Sequence, residues 1–193
     1  KFHMSEGGLR VPLIMSGPGI NKGKNHNFAF VTDIAATISD IVFDEVDERI
    51  IGKSLQNSLA GSNEDNYEDF EAVGLEVTGN SALFKGNYKI VRNRPPNGSN
   101  QWELYNLHED PGETQDLSKI MPDKLFELIE DYDQYAQING VIELPLDYQW
   151  AEEMTVNTFK RNYLPLLLRA VSVIALTVFV VIYLRRRWKK TQN

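Results

Sequence analysis

Residues 72–91, AVGLEVTGNSALFKGNYKIV, decide how this chain folds. They hold three short runs of β-prone residues, Ala72 to Val77, Ser81 to Phe84 and Tyr88 to Val91, separated by Gly79-Asn80 and Gly86-Asn87. Gly and Asn tolerate the backbone conformations that tight turns need, so the spacing predicts consecutive hairpins. A fourth run, Trp102 to Tyr105, follows the turn signal Pro95-Pro96-Asn97-Gly98. Together these runs predict a small antiparallel sheet.

Downstream, Pro122 to Ile138 places Leu125, Leu128, Ile129, Tyr132 and Ala136 on one helical stripe, and Pro122 suits the first turn. That helix is expected to cover one face of the sheet. Upstream, Val11 to Met15 (VPLIM) follows Gly7-Gly8 and ends at SGPG, which predicts a buried strand. After a loop rich in Gly, Asn and Lys, the residues Ile34, Ile38, Ile41 and Val42 recur at helical spacing, with Thr32 or Asp33 as the cap. Asn57 to Asp69 is polar and acidic and reads as a surface crossover between two subdomains.

Apolar residues make up 42% and charged residues 24% of the 193 positions, a globular composition. The formal charge is -7, yet Arg185, Arg186, Arg187, Lys189 and Lys190 crowd into the last nine residues. Residues 1–184 hold 15 basic against 27 acidic residues, a net -12. That balance argues against nucleic acid as a partner, because phosphate binding needs a basic face. With no cysteine, disulfides and thiolate metal sites are excluded for this segment.

Leu164 to Leu184, LPLLLRAVSVIALTVFVVIYL, would form about 31 Å of helix, against a hydrocarbon core of about 30 Å. Arg169 lies near one end, where its stem can reach the interface, and the apolar residues beyond it outweigh its insertion cost. Tyr183 and Trp188 suit an interface, and the basic tail predicts a cytoplasmic C-terminus by the positive-inside bias. The expectation is a single-pass protein whose lipid-bilayer contact is residues 164–184 and whose soluble part is periplasmic or extracellular.

Several motifs resemble the sulfatases, in the order that family has them. The opening KFHMSEGGLRVPLIMSGPG is similar to a family segment in which a lysine precedes a Glu-Gly-Gly-x-Arg-Val-Pro run by five residues, as Lys1 precedes Glu6. TDIAATISDIV resembles the family's Asp-x-x-x-Thr helix, although Ala36 stands where many relatives have proline. GKSLQNSLAG resembles its Gly-x-Ser-Leu segment, SALFKGNYKIV its Ala-Leu-x-x-Gly-x-x-Lys hairpin, and ELYNLHEDPGETQDLS its closing Asp-Pro-x-Glu run.

The resemblance implies the C-terminal portion of an α/β, alkaline phosphatase-like fold. Residues 1–62 would end the large catalytic domain, 63–140 would form the C-terminal subdomain, and 141–163 would link to the transmembrane helix 164–184 and the tail 185–193. It also implies a hydrolase of sulfate esters, with aryl or carbohydrate sulfates as substrates, using a formylglycine nucleophile and calcium. Both of those groups would lie upstream of Lys1, and the chain alone would be inactive. The resemblance assigns Lys1 to substrate binding, where an ammonium near a sulfate oxygen offsets developing charge. A phosphoryl-transferring relative and a catalytically dead, membrane-tethered binding protein stand as alternatives.

The remaining candidates read as scaffold. His3, His26 and His108 lack metal-ligand spacing, although His3 is near enough to Lys1 to line a substrate cleft. Glu6 and Arg10 are expected to brace the loop carrying Lys1. The acids from Glu64 to Glu71 lack a calcium-loop pattern and read as a solvated face. Asn97-Gly98-Ser99 matches a glycosylation acceptor but reads here as a turn.

Overall fold

A computed structural model of the chain describes residues 3–145, 147–148 and 150–191. The element order is α1 (Glu6–Leu9), α2 (Asp33–Phe43), α3 (Gln56–Leu59), β1 (Ala72–Val77), β2 (Asn80–Lys85), β3 (Tyr88–Arg92), β4 (Trp102–Asn106), α4 (Pro122–Asn139), α5 (Trp150–Asn162) and α6 (Leu164–Thr191). The chain divides into two compact units, with the boundary between Glu143 and Leu144.

The four expected strands form one antiparallel sheet in the order β1-β2-β3-β4. Its register sets Leu83 opposite Ile90, and Ile90 opposite Leu104. These three share one face because side chains alternate along a strand. Leu128 and Tyr132 of α4 close over them, and all five are buried, with Leu125, Ile129, Tyr135 and Ala136 packed around the edge. Pro122 opens α4 and Gly140, at φ 63°, ends it. At Gly74 a Cβ would lie 2.4 Å from the Tyr135 ring, so glycine lets α4 approach β1.

One turn differs from the sequence reading. Val77 pairs with Asn80, so the turn residues are Thr78 and Gly79 rather than Gly79 and Asn80. Both have positive φ, 54° and 81°, as a two-residue hairpin turn of this hand requires. Asn80 is instead buried in β2, where its side-chain carbonyl accepts the Arg94 backbone N–H at 2.7 Å.

The opposite face of the sheet carries Ala82 and Val91, and the N-terminal segment covers it: Met4 is fully buried against both, with Leu9, Leu75, Val77 and Tyr105 alongside.

Val11 to Met15 does not form the expected buried strand. It is irregular, and Val11 and Ile14 are 76% and 88% exposed. An isolated strand leaves its N–H and C=O groups unpaired, and among the described residues no strand lies beside this one. Helix α2 forms where the period places it, with Thr32 at the N-cap position but no side-chain cap bond. The expected apolar face does not turn inward in this chain. The buried residues are Asp33, Ala36 and Thr37, while Ile38, Ile41, Val42 and Phe43 are exposed. The inward face is polar because it pairs with a loop: Asp33 accepts the Lys53 N–H at 2.9 Å and Thr37 Oγ1 accepts the Leu55 N–H at 2.9 Å. Gly52 makes that approach possible, since a Cβ there would lie 2.3 Å from the Thr32 carbonyl.

In the second unit, the segment expected to be a linker is helical over Trp150–Asn162, with Glu152 and Glu153 in the first turn and Lys160 and Arg161 in the last. That charge order matches the helix dipole. α6 contains the expected span and runs on to Thr191, because its basic extension is rich in good helix formers. The apolar side chains of Leu164 to Leu184 are exposed, and the helix is long and apolar enough to cross a membrane. Two of its hydroxyls bond within the helix: Ser172 donates to the Leu168 carbonyl and Thr177 to that of Val173.

Candidate functional site

Lys1, the one residue assigned to substrate, lies outside the described residues, as does Phe2. The segment that follows is described, and its anchoring is specific. The Met4 N–H donates to the Asn93 side-chain oxygen at 3.1 Å, just beyond the end of β3. Two residues on, the Glu6 N–H donates to Glu113 Oε2 at 2.6 Å. The Glu6 carboxylate then accepts from Lys89 Nζ at 2.8 Å, and the same ammonium donates to Glu113 Oε1 at 2.7 Å.

Lys89 belongs to β3, one residue from Ile90, so alternation directs it to the face opposite α4. Its side chain is fully buried, and its ammonium lies 4.8 Å from the Phe84 ring centroid. A buried charge is tolerated only when paired and hydrogen-bonded, and here two carboxylates and a ring supply that. Glu113 is held by the loop after β4. Asp110 accepts the backbone N–H groups of Thr114 and Gln115 at 2.7 and 2.8 Å, and the Gln115 bond is the main reason its carboxyl sits below the usual range. Asp116 reaches back to the sheet, accepting the Leu104 N–H at 3.1 Å.

A second buried centre lies at Asp33. Its carboxylate accepts the Phe30 N–H at 2.6 Å, the Lys53 N–H at 2.9 Å and the Tyr67 hydroxyl at 2.5 Å. Burial raises the Tyr67 hydroxyl far above its ordinary value, and the adjacent Asp33 carboxylate adds to the shift. Lys53 pairs with Glu71, whose carboxyl that contact lowers.

The other candidates divide as follows. Glu6 braces the N-terminal segment as expected, whereas Arg10 is exposed and contributes only its backbone N–H, bonded to the Glu6 carbonyl. His3 is half-buried, and His26 and His108 are exposed. Glu64, Asp65, Glu68 and Asp69 are exposed, as a solvated face should be, whereas Glu71, the last acid of that run, is half-buried and paired with Lys53. Asn97 and Ser99 are exposed in the β3–β4 turn. Among the described residues no group of three His, Cys, Asp or Glu could hold a metal, and the chain has no cysteine. Formylglycine and calcium thus find no fitting residues here.

Sequence reasoning missed Lys89 and Glu113 as partners of Glu6, because they lie 83 and 107 residues away from it. The available signal was in the motifs: Lys89 closes the Ala-Leu-x-x-Gly-x-x-Lys hairpin and Glu113 the Asp-Pro-x-Glu run, although neither motif says that they meet Glu6.

Residues 1–136 match the sequence profile of a family described as N-sulphoglucosamine sulphohydrolase, C-terminal. The chain belongs to the sulfatase family. A relative from Schizosaccharomyces pombe, named an uncharacterized sulfatase, is 31% identical over 169 residues, covering 77% of this chain and 28% of its own length. The chain therefore spans little more than a quarter of that relative. Solved structures of sulfatases align with it at TM-scores below 0.5. One is described as a 2-O GAG sulfatase, 24% identical over 65% of this chain and 29% of its own, with a TM-score of 0.49. Another, solved in complex with its substrate D-glucosamine-2-N,6-O-disulfate, is 18% identical over 54% of this chain and 23% of its own, with a TM-score of 0.43. Sulfatase membership agrees with the fold class inferred from the motifs, an α/β alkaline phosphatase-like architecture whose C-terminal part is a small antiparallel sheet with a packed helix.

Proposed function

We propose that this chain is the C-terminal portion of a membrane-anchored sulfatase that hydrolyses sulfate esters, in which Lys1 binds the sulfate group. Family membership over residues 1–136 carries the reading. The uncovered apolar surface of Val11, Leu13, Ile14, Ile38, Ile41 and Val42 supports it, since an exposed patch of this kind marks a surface that another body covers. In the whole protein that body is the remainder of the catalytic domain, where the formylglycine nucleophile and calcium belong.

On this reading residues 1–62 complete the catalytic domain, 63–140 form the subdomain that carries Lys89 and Glu113, and 164–184 anchor the enzyme with its soluble part on the non-cytoplasmic side. The Lys1 ammonium would face a sulfate oxygen and offset charge that builds on the leaving oxygen, an effect that grows in the transition state. Sulfated carbohydrate or aryl sulfate is the substrate class.

Lys1→Ala in the full-length protein is expected to lower kcat/KM for a sulfate ester by at least ~100-fold, the scale of losing one oxyanion donor. An unchanged rate would remove Lys1 from the site.

A further inference from the structure

We infer that the β3–β4 turn displays Asn97 as an acceptor for an N-linked glycan, resting this on the non-cytoplasmic placement proposed above. Asn97-Gly98-Ser99 is the only Asn-x-Ser or Asn-x-Thr in the 193 residues. A three-residue match arises readily by chance, so the surroundings of the amide decide what it is worth.

The fold holds this motif outward. The Asn97 and Gly98 N–H groups both donate to the Arg94 carbonyl at 3.1 Å, and the Asn100 N–H donates to that of Asn93 at 2.8 Å. Gly98 is the residue that tucks in, since a Cβ there would lie 2.3 Å from the Asn93 carbonyl oxygen. Its two neighbours in the motif, Asn97 and Ser99, are left exposed. Among the described residues the Asn97 side chain has no hydrogen-bond partner, so its amide is not engaged in holding the turn. The Ser99 hydroxyl accepts the Gln101 N–H at 3.3 Å, which leaves its own proton free to donate.

The composition of the turn points the same way. Residues 95–100, PPNGSN, carry no charge and no large apolar side chain. Val11, Ile14 and Ile38 form an exposed apolar surface of the kind that another body covers, whereas this turn has nothing to offer such a body. It is a solvated end of the sheet, with room for a bulky, solubilising group.

The donor is an oligosaccharide joined through its anomeric carbon to a lipid diphosphate. Asn97 Nδ2 forms a bond to that carbon, the bond from carbon to the diphosphate oxygen breaks, and the amide gives up one proton as the lipid diphosphate leaves. No oxidant or reductant is needed. The hydroxyl two residues on is part of the acceptor motif, so Ser99 is as necessary as Asn97.

The test uses the full-length protein made in a eukaryotic secretory host, as parent, Asn97→Gln, Ser99→Ala and Ser99→Thr. Intact glycopeptide mass spectrometry should find the sugar on Asn97 in most of the parent and Ser99→Thr protein, and none there in Ser99→Ala. Asn97→Gln should run one step faster on a gel, and the step should vanish when both proteins are treated with a peptide N-glycosidase. Protease added to sealed microsomes reports the placement independently, and the soluble part should be protected. A bare Asn97 in a protected soluble part would overturn the acceptor and leave the placement standing. A bare Asn97 in a soluble part open to protease would overturn both. Sugar persisting on Asn97 in Ser99→Ala would also overturn the assignment, by showing that the motif is not what is read.

Discussion

Residues 72–139 and residues 11–51 come from the same chain, yet only the first stretch closes a core within it. In the sheet and α4, alternation on the strands and a 3.6-residue stripe on the helix aim Leu83, Ile90, Leu104, Leu128 and Tyr132 at one another. In 11–51 the apolar residues are as regular, with Ile38, Ile41 and Val42 on α2 and VPLIM ahead of it, yet Val11, Leu13, Ile14, Ile38, Ile41 and Val42 are all exposed. The difference teaches that a periodic pattern specifies which face will be buried but not what will bury it. A stretch whose pattern and burial disagree marks a face that this chain leaves uncovered; on the proposed reading the rest of the catalytic domain covers it.

The comparison can be broken where it is strongest. Ile90→Ala empties a site with no exposure and should cost about 2–5 kcal/mol, read as a shifted urea midpoint of the unit ending at Glu143. A loss below 1 kcal/mol would mean the sheet is not the self-sufficient half. Gly74→Ala attacks the same core by crowding. Its new Cβ would meet Tyr135 at 2.4 Å, and the expected cost is about 1–3 kcal/mol with a lower melting temperature.

Lys85→Met tests the charged rim of that core. Lys85 Nζ donates to Asp131 at 2.6 Å and to Glu127 at 3.0 Å, joining β2 to α4, and its loss should cost ~1–2 kcal/mol, between surface and buried pairs. The Asp131 carboxylate foremost, helped by Glu127, raises the Lys85 ammonium above its ordinary 10.5. The proton is held more tightly in the folded state, so the contribution is complete below about 10.5 and fades as pH climbs through the folded value. The stability gap between parent and Lys85→Met should therefore persist at pH 9 and narrow at higher pH. A gap that widened there would refute the pairing.

The smallest effect sharpens the comparison from its other side. Ile41→Asp adds a charge to a residue already 52% exposed, so the 193-residue chain should change by no more than about 0.5 kcal/mol. The full-length protein should lose about 2 kcal/mol or more, because there the charge would be buried without a partner. Equal small losses in both would leave α2 uncovered in the whole protein as well.

How far the sequence could be read follows the same division. β1 to β4 and α4 were legible to within a residue or two because local pattern and tertiary contact agree there. The β1–β2 turn moved because Asn80, a good turn residue, is more valuable inside the sheet as acceptor for Arg94. VPLIM read as a strand because it is a short apolar run bounded by Gly7-Gly8 and SGPG, but among the described residues no strand lies beside it to pair with it. α5 was missed because its polar sequence, WAEEMTVNTFKRN, has charge order but little apolar periodicity. Of the candidate site, Glu6 was legible from spacing. Lys89 and Glu113 each end a quoted motif, but their pairing with Glu6 was not legible, since only the folded sheet brings them to it.

Sulfate and phosphate chemistry are separated by one assay. The full-length protein, matured in the presence of a formylglycine-generating enzyme, would be given an aryl sulfate beside the aryl phosphate of the same phenol. Sulfate release with preference over phosphate is expected, with that release lost on Lys1→Ala. Phosphate release alone, or no sulfate release from the intact protein, would contradict it.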